Sequence, residues 1–219
     1  MFSSGIICIG GLPGVGSVGK IAADYLSTAL ECSTIMPFYS KGFPPQVMVS
    51  NGLTELFRAE LKVPKDRKNM YILCGDAQPL EIMEMYSLAE DILKAVKSQN
   101  VTDFITLAAY VGDSKEKVVG AASDSELATE LERCGIPKLR NAAIGGINGL
   151  LAGLSPLHGI RGYCLLGITS GEEVVDLKAA KNLLEAAERL LDLDISIDGL
   201  DFEEPKEISC SQEPDMNYR

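Results

Sequence analysis

A chain of 219 residues, 46% hydrophobic and 23% charged, has the composition of a single soluble domain with enough length for a real core. The net charge of −11 comes without a visible basic face, so a nucleic-acid partner is not expected. Six cysteines and one histidine form no Cys-x-x-Cys pair and no Cys/His cluster, which argues against a metal site or a redox pair and for a reducing compartment.

The chain opens on an apolar run, Ile6 to Ile9, that feeds a turn built from Gly10, Gly11, Pro13, Gly14 and Gly16. A helical pattern follows from about Ser17. Strand, glycine turn and helix start can present free backbone N–H groups and the positive end of a helix dipole to an anion. Two nucleotide motifs overlap here. Gly14, Gly16 and Gly19 have the spacing of a dinucleotide fingerprint, and Gly14, Gly19 and Lys20 that of a phosphate loop. A third reading is that these glycines only allow a tight turn and close strand–helix contact. The phosphate loop needs a Ser or Thr after its lysine to hold magnesium, and Ile21 stands there. The dinucleotide motif needs an acid about 20 residues on, at the end of the second strand. That strand ends at Phe38 to Lys41 without one. Neither motif is complete.

Residues 34–38 predict a short strand, and Lys41 to Pro45 then interrupts regular structure. Residues 46–50 and 55–61 flank Asn51-Gly52, a strong hairpin signal, and read as an insertion into a strand–helix alternation. Residues 69–74 predict a buried strand, followed by Gly75, Asp76, Ala77, Gln78 and Pro79. Residues 80–98 predict a helix, with Ile82, Met85, Tyr86, Ala89, Ile92, Leu93 and Val96 on its apolar face; Met83 and Met85 read as core filler. Residues 103–110 predict the next buried strand and residues 118–122 a short one. A helix over 124–134 reads as capped by Ser123 with Glu126 at its third position.

Residues 138–144 predict a strand, and Gly145 to Asn148 open a helix or turn rich in small residues. Residues 159–168 predict the last strand, and residues 176–193 a helix with Leu177, Ala180, Leu184, Ala187, Leu190 and Leu191 on one face. Cys8, Cys74 and Cys164 lie in apolar runs and read as small buried hydrophobes. The organisation is then one α/β domain over 1–193 and an acidic, flexible tail over 194–219, which carries −6 of the net charge. Strands alternating with helices imply a three-layer α/β/α sandwich with a largely parallel central sheet and an inserted β-hairpin. The start carries no basic leader pattern and no 18-residue apolar run occurs, so a cytoplasmic chain without membrane contact is expected.

In such sheets ligands gather beyond the carboxyl ends of the strands. The turns after the predicted strands would share that rim. Gly14, Gly16, Gly19, Lys20, Asp76, Gln78, Asn148 and Glu172 are the candidate contacts for an anion or nucleotide-like ligand. Turns in α/β proteins use Gly, Asp and Asn without any ligand, so this is one of two readings. A Ser155–His158 pair lacks the strained elbow of a serine hydrolase, and nothing in the sequence brings Asp76 and Glu172 together as an acid–base pair.

Several motifs in order resemble the proteasome assembly chaperone family of archaea and bacteria, related to the second eukaryotic 20S assembly chaperone. Gly11-Leu-Pro-Gly-Val-Gly-Ser-Val-Gly-Lys20 and the Ala-rich helix after it resemble the family's opening. Gly75 to Pro79, Gly146 to Leu151, Gly162 to Gly167 and the helix from Asp176 resemble its later motifs, so the likeness spans residues 5–193. The resemblance implies a nucleoside-phosphorylase-like α/β/α fold, homo-oligomers, and binding to proteasome α subunits without catalysis or a cofactor. It also implies docking by a C-terminal hydrophobic–tyrosine–any motif. Here Tyr218 and Arg219 match the last two places, with Asn217 where the hydrophobic residue belongs. Tyr218 would be the anchor and the carboxylate of Arg219 a salt-bridge partner. The alternative is an enzyme or small-molecule binder using the rim.

Overall fold

The computed structural model describes residues 5–197. Its central strand, β1 (Ile6–Gly10), runs into a short 3-10 turn at Val15–Ser17 and helix α1 (Val18–Ala29). Next come β2 (Ser33–Phe38), a separate hairpin of β3 (Val47–Ser50) and β4 (Leu53–Leu56), β5 (Ala59–Val63), β6 (Met70–Gly75) and α2 (Ile82–Ser98). The second half holds β7 (Val101–Val111), β8 (Val118–Ala122), α3 (Ser125–Arg133), α4 (Gly146–Leu154), β9 (Arg161–Thr169) and α5 (Leu177–Leu191).

Among the described residues, seven strands form one sheet in the order β2-β5-β6-β1-β7-β9-β8, and β3-β4 stand apart. The inner four strands, β6, β1, β7 and β9, are parallel. β5 and β8 run antiparallel to their inner neighbours, and β2 pairs antiparallel with β5. The longest ladder sets Asp103 opposite Arg161 and continues to Val111 opposite Thr169.

The alternation along each strand divides the core into layers. Ile7, Ile9, Ile72, Ile105, Leu107, Tyr163 and Leu165 face α1, α3 and α5, where Ala22, Leu26, Leu131, Leu183 and Ala187 meet them. Cys8, Leu73 and Phe104 face α2 and α4, against Leu88, Ile92, Leu93, Ile147 and Leu151. Because both faces are covered, the inner strands read as continuous apolar runs. Each fully buried aliphatic chain, such as Ile9 or Leu26, contributes about 1.5–3 kcal/mol. This is the expected α/β/α sandwich with its inserted hairpin.

Four local expectations need correction. Residues 55–61 do not form one strand. Asp76 accepts a hydrogen bond from the Arg58 backbone N–H at 3.1 Å and donates its own N–H to the Arg58 carbonyl at 2.9 Å, which turns the chain out of the hairpin and into β5. Residues 138–144 form no strand. Only Lys138 bridges to Gly120, and Asn141, at φ 50°, turns the chain out of extension. The cap of α3 is Asp124, whose Oδ1 accepts from the N–H groups of Glu126 and Leu127 at 2.9 Å each, while the Ser123 hydroxyl oxygen accepts from Gly162 N–H. Finally, the apolar face of α2 is not buried along its length. Ile82 and Met83 are 72% and 78% exposed, so Met83 fills no core gap. Among the described residues, no helix is long and apolar enough to cross a membrane.

Candidate functional site

The carboxyl ends of the parallel strands do converge on a cleft of about 390 Å³. Its walls are the turn after β1 (Leu12, Gly14, Val15), Gly19 of α1, Gln78 after β6, the end of β7, and residues 143–146 with Asn148. Of the expected contacts, the structure brings Gly14, Gly19, Gln78 and Asn148 together there.

The geometry of that turn follows from small residues. A Cβ on Gly19 would come within 2.1 Å of the Leu107 carbonyl oxygen, and one on Gly11 equally close to the Gly19 carbonyl. Helix α1 therefore crosses the sheet at backbone contact, closer than any side chain permits. Gly16 sits at φ +57° and its carbonyl accepts the Asp176 N–H at 2.9 Å, which ties the turn to the start of α5. Strand–helix packing accounts for Gly11 and Gly19 and loop docking for Gly16, whereas a Cβ on Gly14 would meet nothing within 4 Å.

The polar side chains at the cleft are engaged with the protein itself. Asn148 is 5% exposed. Its Nδ2 donates to the Leu12 carbonyl at 2.9 Å and its Oδ1 accepts from the Leu12 N–H at 3.0 Å. Gln78 Oε1 accepts the Ile147 N–H at 3.3 Å, at the first turn of α4. These two side chains join the loops after β1, after β6 and before α4 into one rim.

The remaining candidates lie elsewhere. Lys20 points along α1 and pairs with Asp24 at 2.5 Å, one turn on. Ile21, in the place of a magnesium ligand, packs against the core beneath α1. Asp76 faces Arg58 at the β5–β6 edge. Glu172 is exposed on the loop after β9, and its N–H donates to the Ser170 hydroxyl. That loop borders a second cleft, of about 600 Å³, with Asp113, Glu173 and Asp176 among its walls. Ser155 donates its hydroxyl to the Leu151 carbonyl at 2.6 Å, whereas His158 faces Glu90 at 3.2 Å, so the two do not form a nucleophile–base pair. Tyr218 and Arg219 lie outside the described residues.

Burial pushes the Cys8 thiol far up and raises Cys74 to about 12 and Cys164 to about 11, the behaviour of inert core thiols. Among the described residues, no three His, Cys, Asp or Glu side chains gather in a way that could hold a metal. A polar pair that the motifs did not signal lies at the opposite end of the sheet. Asp103, fully buried at the start of β7, pairs with Arg161 Nη2 at 2.6 Å and accepts from the Thr102 hydroxyl at 2.7 Å. Only the register of β7 against β9 brings it together.

The PAC2 family profile matches residues 8–207. The chain belongs to the PAC2 family. The fold is similar to that of PbaB of Pyrococcus furiosus, described as an archaeal proteasome activator. That structure shares 31% identity and a TM-score of 0.79, over 90% of this chain and 87% of the other. PbaA of the same organism, described as an archaeal homolog of proteasome-assembly chaperone, shares 30% identity and a TM-score of 0.75, over 88% and 79%. An uncharacterised protein of Methanocaldococcus jannaschii is 34% identical over 200 residues, covering 89% of this chain and 77% of its own length.

Proposed function

We propose that this PAC2 chain is a non-catalytic assembly chaperone or adaptor of the 20S proteasome, acting in the cytoplasm by protein–protein contact. The observation that carries the reading is the likeness to PbaB and PbaA at 30–31% identity over nearly the whole domain. The rim supports it from another side, because both ends of the Asn148 amide and the Gln78 Oε1 atom are engaged by the backbone of Leu12 and Ile147. The partner is the ring of α subunits. The docking element is the acidic segment after α5, with Tyr218 as its anchor and Arg219 beside it. Tyrosine suits that role, since it combines a large apolar body with a polar tip. The chain works as a homo-oligomer and needs no cofactor.

The test is co-purification of α subunits with the tagged full chain and with Tyr218→Ala. Recovery of α subunits that falls at least tenfold in the variant supports the reading, and equal recovery removes Tyr218 from the mechanism.

One observation favours a second reading. Gly14 and Gly19 line an open 390 Å³ cleft beside the start of α1, the setting in which a small anion would sit. Thermal stabilisation by millimolar nucleotide or phosphorylated metabolite would support it, and none would count against it.

A further inference from the structure

The hairpin that stands outside the main sheet carries apolar side chains on both faces. Pairing of Val47 with Leu56 and of Met48 with Glu55 puts Val47, Val49 and Leu56 on one face and Met48 and Leu53 on the other. All five are between 49% and 70% exposed. A two-stranded hairpin is at best marginal in water on its own, and one face of an ordinary surface hairpin would be polar. Here one face is apolar apart from Thr54, and the other sets Met48 and Leu53 beside Ser50 and Glu55.

The neighbouring surface continues the pattern. Tyr39, Phe43, Pro44, Pro45 and Phe57 join Val47 and Leu56 in lining an open cleft of about 450 Å³ at the base of the hairpin. The segment between β2 and the hairpin docks on the start of α2: Leu80 N–H donates to the Gly42 carbonyl at 2.8 Å and the Ser40 hydroxyl donates to Glu84 at 2.9 Å. There Leu80, Ile82 and Met83 are 70–78% exposed. Together these side chains form one patch of large exposed apolar residues, where an ordinary monomer scatters such residues singly.

We infer that the β3–β4 hairpin and the cleft at its base form the interface between copies of this chain, the hairpin of one copy packing into the cleft region of the next. Three features point to a second copy as the occupant. A projecting apolar hairpin and an apolar hollow lie side by side on one surface, which is the complementarity a self-association contact requires. The chain carries a net charge of −11, yet from Gly42 to Thr54 thirteen consecutive residues are uncharged, so this is where two acidic copies meet without repulsion. The patch draws on the hairpin, the cleft at its base and the residues at the start of α2, a spread broad enough for a contact between copies. The inference rests on the homo-oligomer part of the proposed function and names the surface that makes it.

The experiment is the solution mass of the full chain at tens of micromolar, by light scattering after gel filtration, for wild type, for Val49→Lys combined with Leu53→Lys, and for Tyr39→Glu on the cleft side. Val174→Lys, 89% exposed on another loop, is the control. Circular dichroism confirms folding of each. The expected result is a wild-type and control mass at a multiple of 23.5 kDa. Both interface variants fall to the monomer mass or dissociate at least tenfold more readily. A folded double variant and a folded Tyr39→Glu that both keep the wild-type mass overturn the assigned surface alone. A monomeric wild type overturns both the surface and the homo-oligomer reading, while leaving proteasome binding to its own test.

Discussion

Asn148 closes both ends of its amide on the backbone of Leu12, 136 residues away, accepting from its N–H and donating to its carbonyl. The contact is buried, and it joins the first loop of the domain to α4 at the wall of the cleft. Replacing Asn148 by Ala leaves the Leu12 N–H and carbonyl without their partners. Each unsatisfied group costs about 1–3 kcal/mol. Asn148→Ala is therefore expected to lose roughly 2–4 kcal/mol in urea unfolding. Asn148→Asp removes the donor, sets a carboxylate oxygen against the Leu12 carbonyl, and should be at least as damaging. Loss of a small-molecule activity without loss of stability would point to a ligand contact instead.

The opening glycines separate a packing role from a phosphate-binding one. Gly14 is extended, at φ −160°, and a Cβ there meets nothing within 4 Å. Gly19 has the Leu107 carbonyl at 2.1 Å from the same added atom. Gly14→Ala should change stability by less than about 0.5 kcal/mol, whereas Gly19→Ala should cost about 3 kcal/mol or prevent folding, because α1 must lift from the sheet. Thermal or urea unfolding of the two purified variants reads the difference directly. Equal effects would deny the close approach.

Thiol labelling checks the core from a third direction. With pKa values raised to about 12 and about 11, Cys74 and Cys164 hold at most roughly one part in a thousand as thiolate at pH 8, and Cys8 less still. None of the three should react with an aromatic disulfide reagent until denaturant is added. Raising the pH to 9 should accelerate their labelling only in proportion to the small thiolate fraction. Rapid native-state labelling at any of them, located by mass spectrometry, would mean that the layer containing it opens readily.

The sheet was legible because its signal is local. The mainly apolar runs at 69–74 and 103–110 are the length of buried strands and rich in strand-forming residues, and the structure places them on either side of β1. The periodicity of α2 was legible too, but periodicity does not say where cover ends. Ile82 and Tyr86 belong to the same face as Ala89 and Ile92 and are nonetheless exposed. At α3, Ser123 and Asp124 are both good caps, and only the backbone decides between them.

The rim was harder. Asn148, Asp76 and Gln78 read as turn residues that a ligand would use. Asp76 and Gln78 do follow a strand, β6, but Asn148 follows none and lies in the first turn of α4. Their actual partners, Leu12, Arg58 and Ile147, lie 18 to 136 residues away in the chain. Spacing along a sequence carries no trace of such pairings. The same is true of Asp103 and Arg161, which meet only through the β7–β9 register.

The central claim concerns the proteasome, and one binding measurement tests it most directly. A surface-immobilised ring of proteasome α subunits is presented with the full chain and with the chain lacking residues 217–219. The account predicts saturable micromolar or tighter binding of the full chain and at least a tenfold loss on truncation. A full chain that does not bind, or a truncated chain that binds with unchanged affinity, would contradict it.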